Sequence, residues 1–287
     1  MALEPTSDGA RVGLEALAEA EGAPTIEIGR HLERAYEATG RHEALYGVLT
    51  ARLEQVQDDD ERRELQLRIA ELAGTALGDA DGAYAALESA FLDRPADPDL
   101  WDRLGAAADA AGKHEALAAA FATALEAAEL DEDTTASLSR RIAEVYDVVI
   151  GEPAKSEPFH KRVLAHDPQD ERSFLALKEL YTEQERWDDL QALYRNRIAE
   201  TVDAEAKREL LLQVCFLFEE ILEDVPLAIR AYQEVVELDP DHVASRRALD
   251  RLYRRAGRFR DLVALLRQEI DRGLEADGRG RAPARDR

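Results

Sequence analysis

The sequence is poor in residues that cross-link or anchor a chain. Its 287 residues include one cysteine, one methionine and two tryptophans, and aromatics make up 6%. One cysteine forms no intramolecular disulfide, which excludes a disulfide-stapled secreted fold. Lysine is scarce: of 37 basic residues only Lys113, Lys155, Lys161, Lys178 and Lys207 are not arginine. Against 61 acidic residues they leave a net charge of −24, which argues against broad nucleic-acid binding. Long apolar runs are missing as well. The longest are short and alanine-rich, such as 116–122, far from the roughly 18 residues a spanning helix needs. The start, Met1 to Gly9, has neither a basic cluster nor an apolar stretch and so does not read as a signal peptide. The expectation is a soluble, cytoplasmic chain. Abundant Ala, Leu, Glu and Arg with few β-branched residues favour helix over strand.

What is present is repetition. Four segments align without gaps: Leu32–Leu45, Leu104–Leu117, Leu177–Leu190 and Leu249–Leu262, their first leucines 72, 73 and 72 residues apart. Pro95, Pro168 and Pro240 form a second series, each nine residues before the next leading leucine. Such self-similarity marks a repeat array. Within one unit Leu249, Leu252, Tyr253 and Ala256 recur at helical spacing, and Gly257 is the stop residue favoured past a helix end. Leu262, Val263, Leu265, Leu266 and Ile270 begin the next stripe. Each unit is therefore two helices joined by a tight turn. The spacing predicts helices near 9–21, 25–39, 41–57, 59–77, 81–92, 97–111, 113–129, 132–150, 155–166, 170–184, 186–201, 203–223, 226–238, 242–256 and 258–273. A lone pair of this size buries its stripe only by stacking on a neighbour, which extends the core along the array.

The half-repeats resemble tetratricopeptide repeats. Trp101, Leu104 and Gly105 match that family's opening Trp-x-x-Leu-Gly, with Phe121 and Ala124 at its second-helix aromatic and small positions. Ala228, Tyr232 and Pro240 match its later Ala-x-x-x-Phe/Tyr and closing proline, and Ala83, Leu87, Ala90 and Pro95 do so more loosely. Tyr36, Tyr181 and Tyr253 take its first-helix tyrosine position. Leu45, Leu117, Leu190 and Leu262 depart from it, standing where the family has a small residue, and alternate units carry longer helices. The resemblance implies an all-α, right-handed α-solenoid of stacked antiparallel helix pairs, similar to segments of large bacterial arrays. Its expected layout is a partial first unit over 1–24, double units of about 72 residues near 25–96, 97–169 and 170–241, and a final pair at 242–273. The Gly-, Arg- and Pro-rich segment 274–287 lacks a stripe and is expected to be disordered.

Sites for chemistry are few. His160 and His166 stand six apart, on different sides of a helix, and His42 and His114 recur at one repeat position; neither pair has metal-ligand spacing. His31 and His242 complete the six histidines. Cys215 sits in the apolar run 210–218 and reads as a small core residue. Gly278-Arg-Gly280 lacks the strand and helix of a phosphate loop. The acidic runs at 58–61 and 131–133 read as helix caps. Trp101 and Trp187 read as packing residues, with Trp187 open to partial exposure. No enzyme signature emerges, and no cofactor is implied.

Charge is unevenly spread. Residues 243–287 hold 13 basic and 7 acidic residues, net +6, and the rest of the chain is net −30. The family resemblance implies a protein-interaction scaffold whose groove is lined by the first helix of each pair. The groove positions are Arg30, Arg34 and Glu37, then Asp102, Ala106 and Asp109, then Leu175, Glu179 and Thr182, then Arg247, Arg251 and Arg254. The last three share one helix face and form either a solvated surface or a grip for an acidic peptide or the acidic surface of a second copy. The alternative function is a structural segment of a larger array without its own ligand, which the start in mid-pattern at Pro5 favours.

Overall fold

The structure, a computed structural model, describes residues 12–15 and 25–280. The helices are Thr25–Thr39 (α1), His42–Leu53 (α2), Asp59–Leu72 (α3), Ala80–Asp93 (α4), Pro98–Ala111 (α5), His114–Ala127 (α6), Glu132–Glu144 (α7), Pro153–His166 (α8), Glu171–Glu183 (α9), Trp187–Glu200 (α10), Ala204–Phe216 (α11), Val225–Leu238 (α12), Val243–Arg255 (α13) and Phe259–Gly280 (α14). Among the described residues there is no strand, and no helix is long and apolar enough to cross a membrane. The chain divides into two compact units between His166 and Asp167.

In each unit helices pack on their neighbours in sequence, as the stripe spacing requires. The first unit holds two clusters. Ile28, Leu32, Tyr36, Leu45, Leu49, Leu65 and Ile69 close the α1–α3 end. Phe91, Leu100, Trp101, Leu104, Leu117, Phe121, Leu138 and Ile142 fill α4–α7, with Phe91 edge-on to Phe121 at 5.0 Å. In the second unit Phe174, Leu177, Tyr181, Leu190, Tyr194, Cys215, Ile229, Leu249 and Tyr253 are buried. The repeated leucines 45, 117, 190 and 262 all point into these cores, which is why the small-residue rule is not needed there.

Aspartates start the helices. Asp58, Asp79, Asp97, Asp131, Asp170, Asp203 and Asp224 each accept backbone N–H bonds in the following first turn, supplying acceptors for donors a helix start leaves unpaired. Part of the acidic excess is thereby structural. His242 takes the same place before α13, its Nδ1 accepting from the Ser245 N–H.

Three of the helices, α3, α7 and α11, end in a wider π turn: Ala73–Leu77, Val145–Ile150 and Leu217–Ile221. Each closes with an N–H reaching back six residues, from Asp79 to Ala73, Glu152 to Tyr146 and Asp224 to Phe218, all at 2.8 Å. The closures recur at intervals of 73 and 72, so the longer helices of alternate units have a shared terminal geometry. The short pairs turn instead through a left-handed residue after their first helix: Gly40, Gly112, Glu185 and Gly257, φ +54° to +66°.

With the π turns counted as part of their helices, two boundaries differ from the sequence reading by more than two residues. The helix expected over 41–57 stops at Leu53, because the chain turns at Glu54 and Gln55 before Asp58 caps α3. Helix α14 continues through Gly280, into the stretch expected to be disordered from 274; Leu274, Glu275 and Ala276 are strong helix formers. Residues 281–287, and most of the expected 1–24 unit, lie outside the described residues.

Candidate functional site

The nine charged groove candidates, Arg30, Arg34, Glu37, Asp102, Asp109, Glu179, Arg247, Arg251 and Arg254, all lie exposed on first helices. Most of them reach a neighbouring helix. Arg30 on α1 bonds Glu61 on α3 at 3.0 Å, and Glu37 is paired with Arg68. Asp102 on α5 pairs with Arg141 on α7. In the second unit Arg251 on α13 pairs with Glu219 in the turn after α11, while Arg254 pairs with Asp250 one turn back at 2.9 Å. Lys178 on α9, beside Glu179, donates to Gln213 on α11 at 3.1 Å. Asp109 stands 3.5 Å from the His114 ring. The face expected to be an open groove is thus a ladder of ion pairs and hydrogen bonds between successive first helices. Its densest point is Glu33, which is buried on α1 and accepts from both Arg52 and Arg68. The Arg30 hydrogen bond, with a second from Arg52, holds the Glu61 carboxyl below the usual carboxylate range.

Beside this ladder each unit has a pocket, and the two are the same site in register. In the second unit a 470 Å³ pocket lies between α9, α10 and the π-turned end of α11. In the first unit a 360 Å³ pocket lies between α5, α6 and the π-turned end of α7. Asp109, His114, Leu117, Phe121, Arg141, Glu144 and Val149 line one; Thr182, Trp187, Leu190, Tyr194, Gln213, Phe216 and Ile221 line the other. Corresponding residues are 73 or 72 apart throughout. The π turns bring aliphatic side chains to the mouths, leaving Val148, Val149 and Ile221 exposed, and Phe216 is 59% exposed.

The scaffold of the pocket repeats and its chemistry does not. The first-unit pocket has a histidine, three carboxylates and an arginine at its wall. The second is apolar, with Lys178 its one charged lining residue. There the Tyr194 hydroxyl donates to Gln213 at 2.9 Å, and Phe174 stands edge-on to Tyr194 at 5.5 Å. In the module that precedes both pockets the equivalent positions are Glu33, Glu37, His42 and Arg68, where Arg68 binds both glutamates. Phe216, Ile221 and Gln213 were not singled out in the sequence. The available signal was an apolar residue off the core stripe of a long helix, at the position held by Glu144 one module before.

Of the histidines, His160 is buried, with Nε2 2.8 Å from Asp147 Oδ2, and His166 stands 3.0 Å from Asp133. No group of three or more His, Cys, Asp or Glu is arranged for a metal ion among the described residues. Cys215 is buried, and burial pushes its thiol up to about 12.

The tetratricopeptide repeat model matches residues 173–209 and 245–277, segments that begin 72 residues apart. No curated protein sequence matches the chain. Solved structures that it resembles include the C-terminal part of a tetratricopeptide repeat-containing protein from Cytophaga hutchinsonii, at 13% identity, covering 83% of this chain and 92% of that one with a TM-score of 0.34. Another is YrrB, described as a tetratricopeptide protein with an unusual peptide-binding site, at 14% identity, covering 70% and 96% with a TM-score of 0.34. A tetratricopeptide repeat protein from Parabacteroides merdae is 15% identical, covering 73% and 79% with a TM-score of 0.32. With helix pairs recurring every 72 or 73 residues and the family match falling on two of them, the chain is an all-α tetratricopeptide-like helical repeat array.

Proposed function

We propose that the chain is a non-catalytic scaffold that holds partner polypeptides through the pockets beside its first helices. The observation that carries this is the recurrence of one pocket in register with its lining changed. A spacer under selection only for stacking gains nothing from an open apolar pocket rimmed by a 59%-exposed phenylalanine, since exposed apolar surface of this kind marks interaction sites. The second-unit pocket, with Trp187, Tyr194, Phe216 and Ile221, suits an apolar or aromatic side chain of a peptide. The first-unit pocket, with Asp109, His114 and Arg141, suits a polar one. Arg247, Arg251 and Arg254 add a basic face for an acidic partner. The double units near 25–96, 97–169 and 170–241 would act as its modules.

The test is selection of a displayed random peptide library on the immobilised chain. Peptides with an apolar anchor should be enriched, and lost when Phe216→Asp replaces wild type. Phe216 is exposed, so that variant keeps its fold, as circular dichroism would check. Enrichment of nothing above background, or of peptides that bind the variant equally well, refutes the reading.

A second reading has its own support. The ion-pair ladder engages Arg30, Glu37, Asp102, Arg251 and Arg254 within the protein, as a purely structural segment of a larger array requires. On that reading no peptide is selected at all.

A further inference from the structure

The last helix carries an apolar stripe that nothing in the described residues covers. Phe259, Val263, Leu266 and Ile270 are exposed, Phe259 by 64% and Ile270 by 62%. Their spacings of four, three and four residues are those of a helix-pairing seam. The adjoining face of α14, through Leu262 and Leu265, is buried.

The repeat register shows what kind of element fits there. Leu266 corresponds to Leu49, Phe121 and Tyr194, which are 1%, 1% and 4% exposed against 37% for Leu266. Ile270 corresponds to Leu53, Leu125 and Ile198. In all three earlier cases the covering element is the first helix of a long pair: α3 over α2, α7 over α6 and α11 over α10. These covering helices share a chemistry. Each is capped by an aspartate, has at least one carboxylate in its first turn and buries mostly apolar residues. The α3 case also shows how the carboxylates are held, because Glu61 is bonded by Arg30 at 3.0 Å and by Arg52 at 2.6 Å. The register equivalent of Arg30 on α13 is Arg247, exposed and without a carboxylate partner among the described residues.

We propose that the outer face of α14, together with Arg247, is a docking site for an amphipathic helix of a separate polypeptide, one bearing carboxylates in its first turn. This surface is distinct from the pockets and does not depend on them. A charge argument supports the choice of an acidic occupant: residues 243–287 are net +6 in a chain otherwise net −30. A second copy of the chain is a poor source of the occupant. Its own helices of this class, α3, α7 and α11, are already packed between neighbours, with Leu65 and Ile69, Leu138 and Ile142, or Leu211 and Val214 buried.

The probe is a fluorescent synthetic peptide of residues 58–77, the α3 segment with its cap, titrated onto the intact chain and read by anisotropy. Binding is expected, weakening with added salt. It should fall by about tenfold or more in Ile270→Asp and in Phe259→Asp, each of which places a charge on the apolar stripe. Arg247→Glu should weaken it too, and a peptide with Glu61→Lys should recover binding to Arg247→Glu but not to wild type. All three protein sites are exposed, so the variants keep their fold. Because a free peptide of this length is a marginal helix, the same segment is also joined to the C-terminus through a Gly/Ser linker. Amide exchange of α14 should then slow relative to the chain with linker alone. Absence of both peptide binding and α14 protection overturns the proposal. So does binding that Ile270→Asp and Phe259→Asp leave unchanged, or sedimentation showing that wild type self-associates and that these same variants abolish it.

Discussion

Replacing Glu185 by glycine should stabilise the second unit, although it removes a side chain and adds none. Glu185 follows α9 with φ +54°, while its register equivalents Gly40, Gly112 and Gly257 hold φ +65°, +66° and +66°. The left-handed conformation costs a residue with a Cβ about 1–2 kcal/mol. Glycine gives back about 0.5–1 kcal/mol through the greater freedom it loses on folding. The net gain is about 0.5–1 kcal/mol. The Glu185 side chain is exposed and makes no bond among the described residues that would offset it. The reciprocal change, Gly112→Ala, should cost the first unit a similar amount, and its cause would be purely conformational, because a Cβ there meets no atom within 4 Å. Each unit holds one tryptophan, Trp101 in the first and Trp187 in the second, so their fluorescence separates the two. In a Trp101→Phe background Trp187 alone reports urea unfolding of the second unit. With a slope of about 2 kcal/mol per molar urea, Glu185→Gly should raise the midpoint by about 0.3–0.5 M with the slope unchanged. A midpoint that stays still or falls would refute the argument that this turn is strained by its side chain.

Two further outcomes are expected. Glu61 has its carboxyl pKa lowered in the folded chain, chiefly by the Arg30 hydrogen bond; its contribution is present above the ordinary carboxylate pKa and lost as pH falls through the folded value. The stability difference between wild type and Glu61→Gln, measured by urea midpoints from neutral pH downward, should therefore shrink with acidification; a constant difference would show that the ion pairs contribute nothing. Cys215, with its thiol pushed up to about 12 by burial, should resist a thiol reagent at about pH 8 until the protein is unfolded, and rapid labelling of the native chain would place it at the surface.

The helices were legible because their stripes and stops are local properties. Seven of their N-termini are announced by an aspartate and several C-termini by a glycine, so the bounds of α1, α3, α5 and α7 follow from the sequence closely. The π turns were not legible. They arise where the chain must close a long helix onto the next one, and Ala73–Leu77 shares little composition with Val145–Ile150. Only the recurrence of Gly78 and Gly151, with Glu223 in the same left-handed place, hints at a common ending. The groove positions were placed on exposed first-helix faces by register alone. Their partners were hidden, since long arginine and glutamate side chains choose neighbours across 31 to 39 residues, as in Arg30–Glu61 and Asp102–Arg141. The pockets were invisible for the same reason, being built from three helices and a turn whose geometry no single stripe encodes.

Packing between sequence neighbours also sets the tempo at which this chain acquires structure. A fold whose contacts close short loops has low contact order, and such helical proteins fold in about microseconds to milliseconds. A ribosome adds only about 5–20 residues per second, so a 72-residue module needs seconds to emerge. Each helix pair can settle before the next is synthesised, and the sticky stripe of the newest pair is the only one awaiting cover at any moment. The nascent chain is then spared a long interval with many apolar faces in solution, which an alanine- and leucine-rich protein of this length would otherwise meet as aggregation.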